Sequence, residues 1–331
     1  MPYTVDVSFS TFRANMVDLD SEEVKKARAS RDYLVEQIKA LAAHDDTFPR
    51  LANYYKPFGS FARSTKVRPL DDIDLLLVCN AKGTTACYSS GYTYWLRVDE
   101  VTQDRKPYLD DYGYLNSTKI LNKLKSSLAS VGNYRKAEIK RNGVAVVLSL
   151  SSYPWVFDIV PAFPIGDGQG NTDYFLIPNG AGEWQRTDPR RDQELVTAAN
   201  QQHSGRLLPL IRLIKYWNSY RWSPPTISSY YLETMLLTGM RYSPAITSVK
   251  AGIPEAFSIL TSAVLTSCPD PKGLGENLDV GLEWDTRQKV SQSAREMASI
   301  ATNALYSENQ GDHKTAISAW SQVFPNFPAY G

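Results

Sequence analysis

One stretch constrains this chain more than any other: the turn Phe58-Gly59-Ser60, followed at fixed distance by the apolar strand Asp72-Ile73-Asp74-Leu75-Leu76-Leu77-Val78. Gly59 provides backbone without a Cβ and Ser60 a hydroxyl, and Phe61 to Thr65 begin a short helix whose unpaired N–H groups attract phosphate. The period of two in a strand puts Asp72 and Asp74 on one face and Ile73 on the other, while Leu75 to Val78 bury the strand and fix the carboxylates at its start. Two carboxylates facing one way repel unless a cation lies between them. Magnesium, which takes oxygen ligands together with substrate phosphate, is the natural one. A common turn before a strand that begins with acids would account for the Asp-x-Asp alone, but the complete spacing points to phosphate chemistry.

Composition narrows the partners. The 36 Lys and Arg nearly balance the 35 Asp and Glu, so there is no global basic field to hold long nucleic acid, and a small anionic substrate fits better. With 331 residues, 43% of them hydrophobic, the chain can build one large domain or two lobes. Cys79, Cys87 and Cys268, like His44, His203 and His313, are scattered, which argues against a zinc site or a disulfide framework and for a reducing compartment. No apolar run approaches the roughly 20 residues of a membrane helix, and MPYTVDVSFS lacks the regions of a signal peptide, so a soluble, cytoplasmic protein is expected.

Along the chain, Asp20 with Glu23 reads as a capping box ahead of Val24, Ala27, Leu34, Val35, Ile38 and Leu41, a long amphipathic helix. At about 1.5 Å per residue it spans ~35 Å, enough to brace two lobes. Residues 80–116 show no clear periodicity and read as an insertion whose tyrosines pack on their own sheet. Ser117 is expected to cap a helix with Ile120, Leu121, Leu124 and Leu128 on one face and solvated lysines on the other. Tyr134 to Leu150 reads as a hairpin turning at Asn142-Gly143 in a type I′ turn. The next strand, Trp155 to Val160, carries Asp158 in an apolar run, where a lone carboxylate is costly without a partner or a metal; it supplies a third acid. GDGQGNTDYF and PNGAGEWQ read as loops, and the remainder mainly as helix. Leu207, Leu210, Ile211, Ile214 and Trp217 form a buried stripe with Lys215 beside it, and a further helix begins near Ser229-Tyr230 after Pro224-Pro225.

The Gly-Ser turn, the Asp-x-Asp strand and the later strand WVFDIVPAFP together resemble the signature of the DNA polymerase β-like nucleotidyltransferase superfamily, and within it the cGAS/DncV-like branch, the bacterial synthases of CBASS antiphage systems. The resemblance implies an α+β fold: a nucleotidyltransferase core with a mixed twisted sheet over residues 1–180, including the brace helix, and a helical nucleotide-binding lobe over 181–331 with an extended tail. It implies that Asp72, Asp74 and Asp158 hold two Mg2+ ions, or Mn2+ in their place, that Gly59, Ser60, Lys215 and Ser229 hold a triphosphate, and that Tyr230 stacks on a base. The implied reaction joins nucleoside triphosphates into a cyclic oligonucleotide second messenger, releasing pyrophosphate, for a cyclic-nucleotide-activated effector. The alternative within the superfamily is a linear oligonucleotide or RNA-end nucleotidyltransferase. A module that keeps the fold without the chemistry is disfavoured by three intact carboxylates. The lack of a His/Cys zinc insertion and the near-neutral charge speak against a double-stranded DNA activator. The loop Cys268 to Leu278 resembles one in bacterial family members and receives no role. Two prolines in FPNFPAYG favour an accessible, extended tail, and Gly331 is a candidate for joining to an E1/E2-like partner, against the alternative that Phe324 and Phe327 pack on the helical lobe.

Overall fold

The computed structural model describes residues 2–52, 54–166, 171–221, 223 and 225–331. Helix α1 (Val5–Phe12) runs into a π-helical turn, Arg13–Val17, before Asp20 opens α2 (Ser21–His44). The Asp20 carboxylate accepts hydrogen bonds from the amides of Glu22 and Glu23, at 2.9 and 3.0 Å, which caps the helix as its sequence requires. Ala27, Leu34 and Ile38 of α2 pack on the sheet with Ile73, Leu77, Phe157 and Ile159. Ahead of α2, Asp18 accepts a 2.8 Å hydrogen bond from Arg212, and α1 packs on the C-terminal helices, so the N-terminal segment as a whole holds both halves.

Two-residue β1 (Lys56–Pro57) leads to the single helical turn α3 (Gly59–Ala62) and then to β2 (Asp72–Val78). Residues 80–116, which show no clear periodicity and read as an insertion, contain a hairpin of β3 (Thr84–Ser90) and β4 (Thr93–Val98), in keeping with tyrosines that pack on their own sheet. Tertiary packing overrides the weak pattern here, since Leu96 is buried with Trp184, Phe163 and Leu176. Tyr94 and Tyr108 pack as expected, whereas Tyr88 and Tyr112 stay exposed. Asn116, one residue before the expected cap, opens α4 (Ser117–Ser130), whose buried face is Ile120, Leu121, Leu124 and Leu128. Lys123, expected to be solvated, donates to Asp45 and Thr47.

In the hairpin of β5 (Glu138–Asn142) and β6 (Ala145–Ser149), Asn142 pairs with Ala145, so the turn is Gly143-Val144 rather than Asn142-Gly143. Only Gly143 has positive φ, 53°, as a turn with glycine in its first central position demands. Strand β7 (Val156–Gly166) is longer than its sequence pattern, and the ends of two stretches expected to be loops enter strands, β8 (Thr172–Pro178) and β9 (Trp184–Thr187), while 179–183 between them is loop as expected. Pairing along β7 explains them: its last residues, Phe163 to Gly166, bond to β8 instead of β2. Residues 167–170 of the first stretch lie outside the described residues, as does Pro224. The sheet runs in the order β1-β2-β7-β8-β9-β4-β3, with β6 also on β7 and β5 beyond it, and β2 with β7 is its parallel pair.

Helices follow: α5 (Pro189–Gln202), α6 (Leu207–Tyr220), α7 (Ser229–Met240), α8 (Ile253–Ala263), α9 (Trp284–Asn309) and α10 (His313–Val323). The stripe Leu207, Leu210, Ile211, Ile214 and Trp217 is buried among them. Among the described residues no helix is long and apolar enough to cross a membrane. The tail follows the alternative of packing on the helical lobe instead of standing as an accessible strand. Phe324 and Phe327 are buried against Phe9 and Phe12, and Tyr216 donates to the Pro325 carbonyl at 3.0 Å. Prolines exclude helix there, but two aromatic side chains gain more from the apolar face of α1 than from water.

Candidate active site

Alternation along β2 sends Ile73 and Leu77 into the layer under α2 and α4, and Leu76 and Val78 toward Phe58, Val160 and Phe175 on the opposite face. Asp72 and Asp74 share the latter face. The parallel register sets Asp74 beside Asp158, whose neighbours Phe157 and Ile159 point to the α2 layer. Each of the three acids thereby offers an oxygen within 4.8 Å of the others. Burial, then the charges of Asp72 and Asp158, push the Asp74 carboxyl up to about 6. Burial and Asp72 likewise raise Asp158, whose Oδ1 is buried without a hydrogen-bond partner among the described residues.

Lys66, which the sequence reading missed, forms ion pairs with Asp71 and Asp72. Burial alone would lower its ammonium, but the bonds and charges of the two carboxylates hold it above its usual value. One ammonium among these acids leaves net negative charge and an unpartnered carboxylate oxygen, a donor set that fits a hard divalent cation. Gly59, at φ 70°, closes this corner, since a Cβ there would lie 1.6 Å from Asp74 Oδ2. Only glycine lets the turn approach the carboxylate so closely.

A cleft of about 540 Å³ rises from these acids, lined by Ser60, Lys66, Lys215, Ser229 and Tyr230 among others. Four of the five positions expected to contact nucleotide, Ser60, Lys215, Ser229 and Tyr230, thus border one space, while Gly59 lines a neighbouring cavity. Ser229 is the first residue of α7 and exposed. Lys215 is buried, and its Nζ lies 3.5 Å from Glu233 Oε2. Burial lowers the Lys215 ammonium and Glu233 opposes that. Glu233, absent from the sequence reading, also accepts from Arg63 Nε at 2.7 Å and Thr65 Oγ1 at 2.8 Å, joining the loop after α3 to α7. Burial would raise this carboxyl, but Arg63 and Lys215 overcome it and hold it low. The signal that found Asp158, an acid in an apolar run, was present in YLETMLL too.

The Tyr230 hydroxyl donates to Asp192 Oδ1 and accepts from Lys272 Nζ, both at 2.6 Å. Burial and then Asp192 raise its ionisation well above the ordinary phenol range. Lys272 belongs to the loop 268–278 and is held by Asp270 Oδ1 at 2.8 Å. The loop without an assigned role therefore reaches the cleft through Tyr230.

A Gly-Ser turn pressed on an Asp-x-Asp strand, a third acid in parallel register and a facing helical lobe define a polymerase β-like nucleotidyltransferase. No family model matches the chain. It is 39% identical over 338 residues to a probable cyclic nucleotide synthase of Bacillus cereus (strain VD146), across 100% of this chain and 99% of that protein. It is 26% identical over 298 residues to a cyclic AMP-AMP-AMP synthase of Acinetobacter sp. (strain ATCC 27244 / 9458), across 87% of this chain and 76% of the other. Its fold matches CdnC of E. coli MS115-1, solved with ATP, at a TM-score of 0.70, 17% identity and 98% coverage of both chains. It also matches Vibrio cholerae DncV, a cyclic AMP-GMP synthase solved with the linear intermediate 5′ pppA(3′,5′)pG, at a TM-score of 0.65 and 11% identity, across 98% of this chain and 97% of that one. The chain belongs to the cyclic nucleotide synthases, the bacterial cGAS/DncV-like nucleotidyltransferases.

Proposed function

We propose that this chain joins nucleoside triphosphates into a cyclic oligonucleotide with release of pyrophosphate, as a second messenger in bacterial antiphage signalling that acts on a cyclic-nucleotide-activated effector. The observation that carries this reading is the register of Asp74 with Asp158, which groups Asp158 with Asp72 and Asp74, two acids that line a nucleotide-sized cleft. The nearby names support cyclisation, since relatives of the chain are named as cyclic nucleotide synthases. Asp72, Asp74 and Asp158 would hold Mg2+, with Mn2+ able to substitute, and the bound ions would supply Lewis-acid activation of the attacking hydroxyl and the α-phosphate.

The rest of the work falls to the chain. Ser60, Lys215 and Ser229 would orient the triphosphate so that its pyrophosphate leaves in line with a ribose hydroxyl of the second nucleotide, a new P–O bond forming as the old one breaks. Tyr230, its hydroxyl anchored at Asp192 and Lys272, would present its ring to a base. Ring closure repeats the same step on the linear intermediate. Conjugation of Gly331 by an E1/E2-like partner would first have to free its amide from the Pro2 carbonyl, 3.3 Å away, and Tyr330 from Tyr3.

The test is incubation with all four nucleoside triphosphates and Mg2+ or Mn2+, then phosphatase treatment and mass spectrometry. A phosphatase-resistant product lacking termini is expected. A product that loses terminal phosphate quantitatively to phosphatase would replace this reading with the linear nucleotidyltransferase.

A further inference from the structure

Two cavities meet at one side chain. Arg63 lines the 540 Å³ cleft and also a neighbouring cavity of about 350 Å³ formed with Phe58, Gly59, Arg190 and Gln193. It is only 8% exposed, and arginines are seldom so buried unless paired. Its partner is Glu233, reached through Nε alone at 2.7 Å. Among the described residues neither Nη group has a hydrogen-bond partner. The guanidinium lies 5.3 Å from the centroid of the Tyr230 ring, and its charge is felt by Asp74 and Lys215.

An arginine present solely to neutralise a buried carboxylate is best used in a two-pronged pair, with both donors on both oxygens. Here the second oxygen of Glu233 is given to Thr65 and Lys215 instead. That division holds the guanidinium through Nε and leaves its Nη donors free of the pair in a side chain that lines both cavities, a donor set that suits a phosphate. Lys215, at 3.5 Å from Glu233, is held more loosely and can turn to the same anion.

We propose that Arg63 is a phosphate-contacting residue of the nucleotide site, fixed in place by Glu233, so that a bound nucleotide's phosphates lie between a core cation, Arg63, and a helical-lobe cation, Lys215. The proposal rests on the nucleotidyltransferase reading. It adds a cation supplied from the loop behind the Gly-Ser turn, and it makes Glu233 a positioning residue.

The experiment measures binding of ATP and of inorganic tripolyphosphate by calorimetry, together with steady-state pyrophosphate release and melting temperature, for wild type, Arg63→Ala, Arg63→Lys and Glu233→Gln. Arg63→Ala is expected to weaken both ligands about tenfold or more, and Arg63→Lys about threefold, because the charge survives without the fork. Glu233→Gln is expected to raise KM more than it lowers kcat; loss of melting temperature with KM unchanged would make Glu233 merely structural. A folded Arg63→Ala protein that binds both ligands as wild type does overturns the proposal. Should Arg63→Ala not fold, Arg63→Lys, which keeps Glu233 neutralised, decides in the same way: weakened binding supports the proposal and unchanged binding overturns it. Wild-type protein that binds neither ligand overturns the nucleotidyltransferase reading, and the proposal with it, which distinguishes the two failures.

Discussion

Asp74 shows what a single residue stores at this site. Its carboxyl sits at about 6 in the folded chain against an ordinary 3.8, so the metal-free native state binds the proton more tightly than the unfolded state does. Stability from this group is therefore complete below about pH 4 and is lost as pH rises through 6. A shift of roughly two units corresponds to about 3 kcal/mol, so Asp74→Asn should melt above wild type at pH 7.5 in the absence of metal, with the gap narrowing below pH 6 and closing only below about pH 4. Thermal melts across pH check this, and a variant that melts lower at pH 7.5 contradicts it. The same substitution removes a charged ligand candidate and should cut pyrophosphate release by about a hundredfold or more. Gly59→Ala attacks the same atom from outside. Its Cβ would fall on Asp74 Oδ2 at a φ of 70°, so a loss of about 1–2 kcal/mol from the left-handed backbone should accompany loss of turnover. Normal kinetics in this variant would show that the turn can move away without harm.

Among the elements, α2 and the loop 268–278 make contrasting cases. The cap of α2 is local: Asp20 bonds residues two and three positions on. Asp20→Ala should cost about 1 kcal/mol, read as a small fall in melting temperature with kinetics unchanged. The loop acts at a distance, Lys272 anchoring the hydroxyl of Tyr230 on α7. Lys272→Met should raise KM for nucleotide about three- to tenfold, the worth of one such hydrogen bond, while kcat stays within about twofold. A fall in kcat with KM unchanged would instead assign the loop to the transition state. The β3–β4 hairpin also belongs to this scale, its strands being defined by partners across the sheet more than by their own pattern.

Across the whole molecule, the first and last segments share one core. Phe9 and Phe12 of α1 meet Trp320, Phe324 and Phe327, and this cluster is continuous with α6, α7 and α8. The sheet, for its part, continues through β9 to Thr187. The sheet-bearing half thus reaches past residue 180, and α1 packs with the helical half. Phe324→Ala, at a fully buried ring, should cost about 3–5 kcal/mol and lower the melting temperature by roughly 10 °C. A change of a degree or two would mean that the tail is not part of the core.

What short-range geometry controls was legible in the residues alone. The spacing of Ser60, Asp72 and Asp74, the caps and apolar stripes of α2, α4 and α6, and the cost of Asp158 in an apolar strand all follow from backbone periodicity and from burial of charge over a few residues. The tertiary structure alone decided what depends on distant partners: the register that sets Asp158 beside Asp74, the strands hidden in glycine-rich stretches, the docked tail, and the bond from Arg63 to Glu233 across 170 residues. No local pattern encodes such a pairing, because which cation meets a buried carboxylate is fixed only when the elements carrying them pack together.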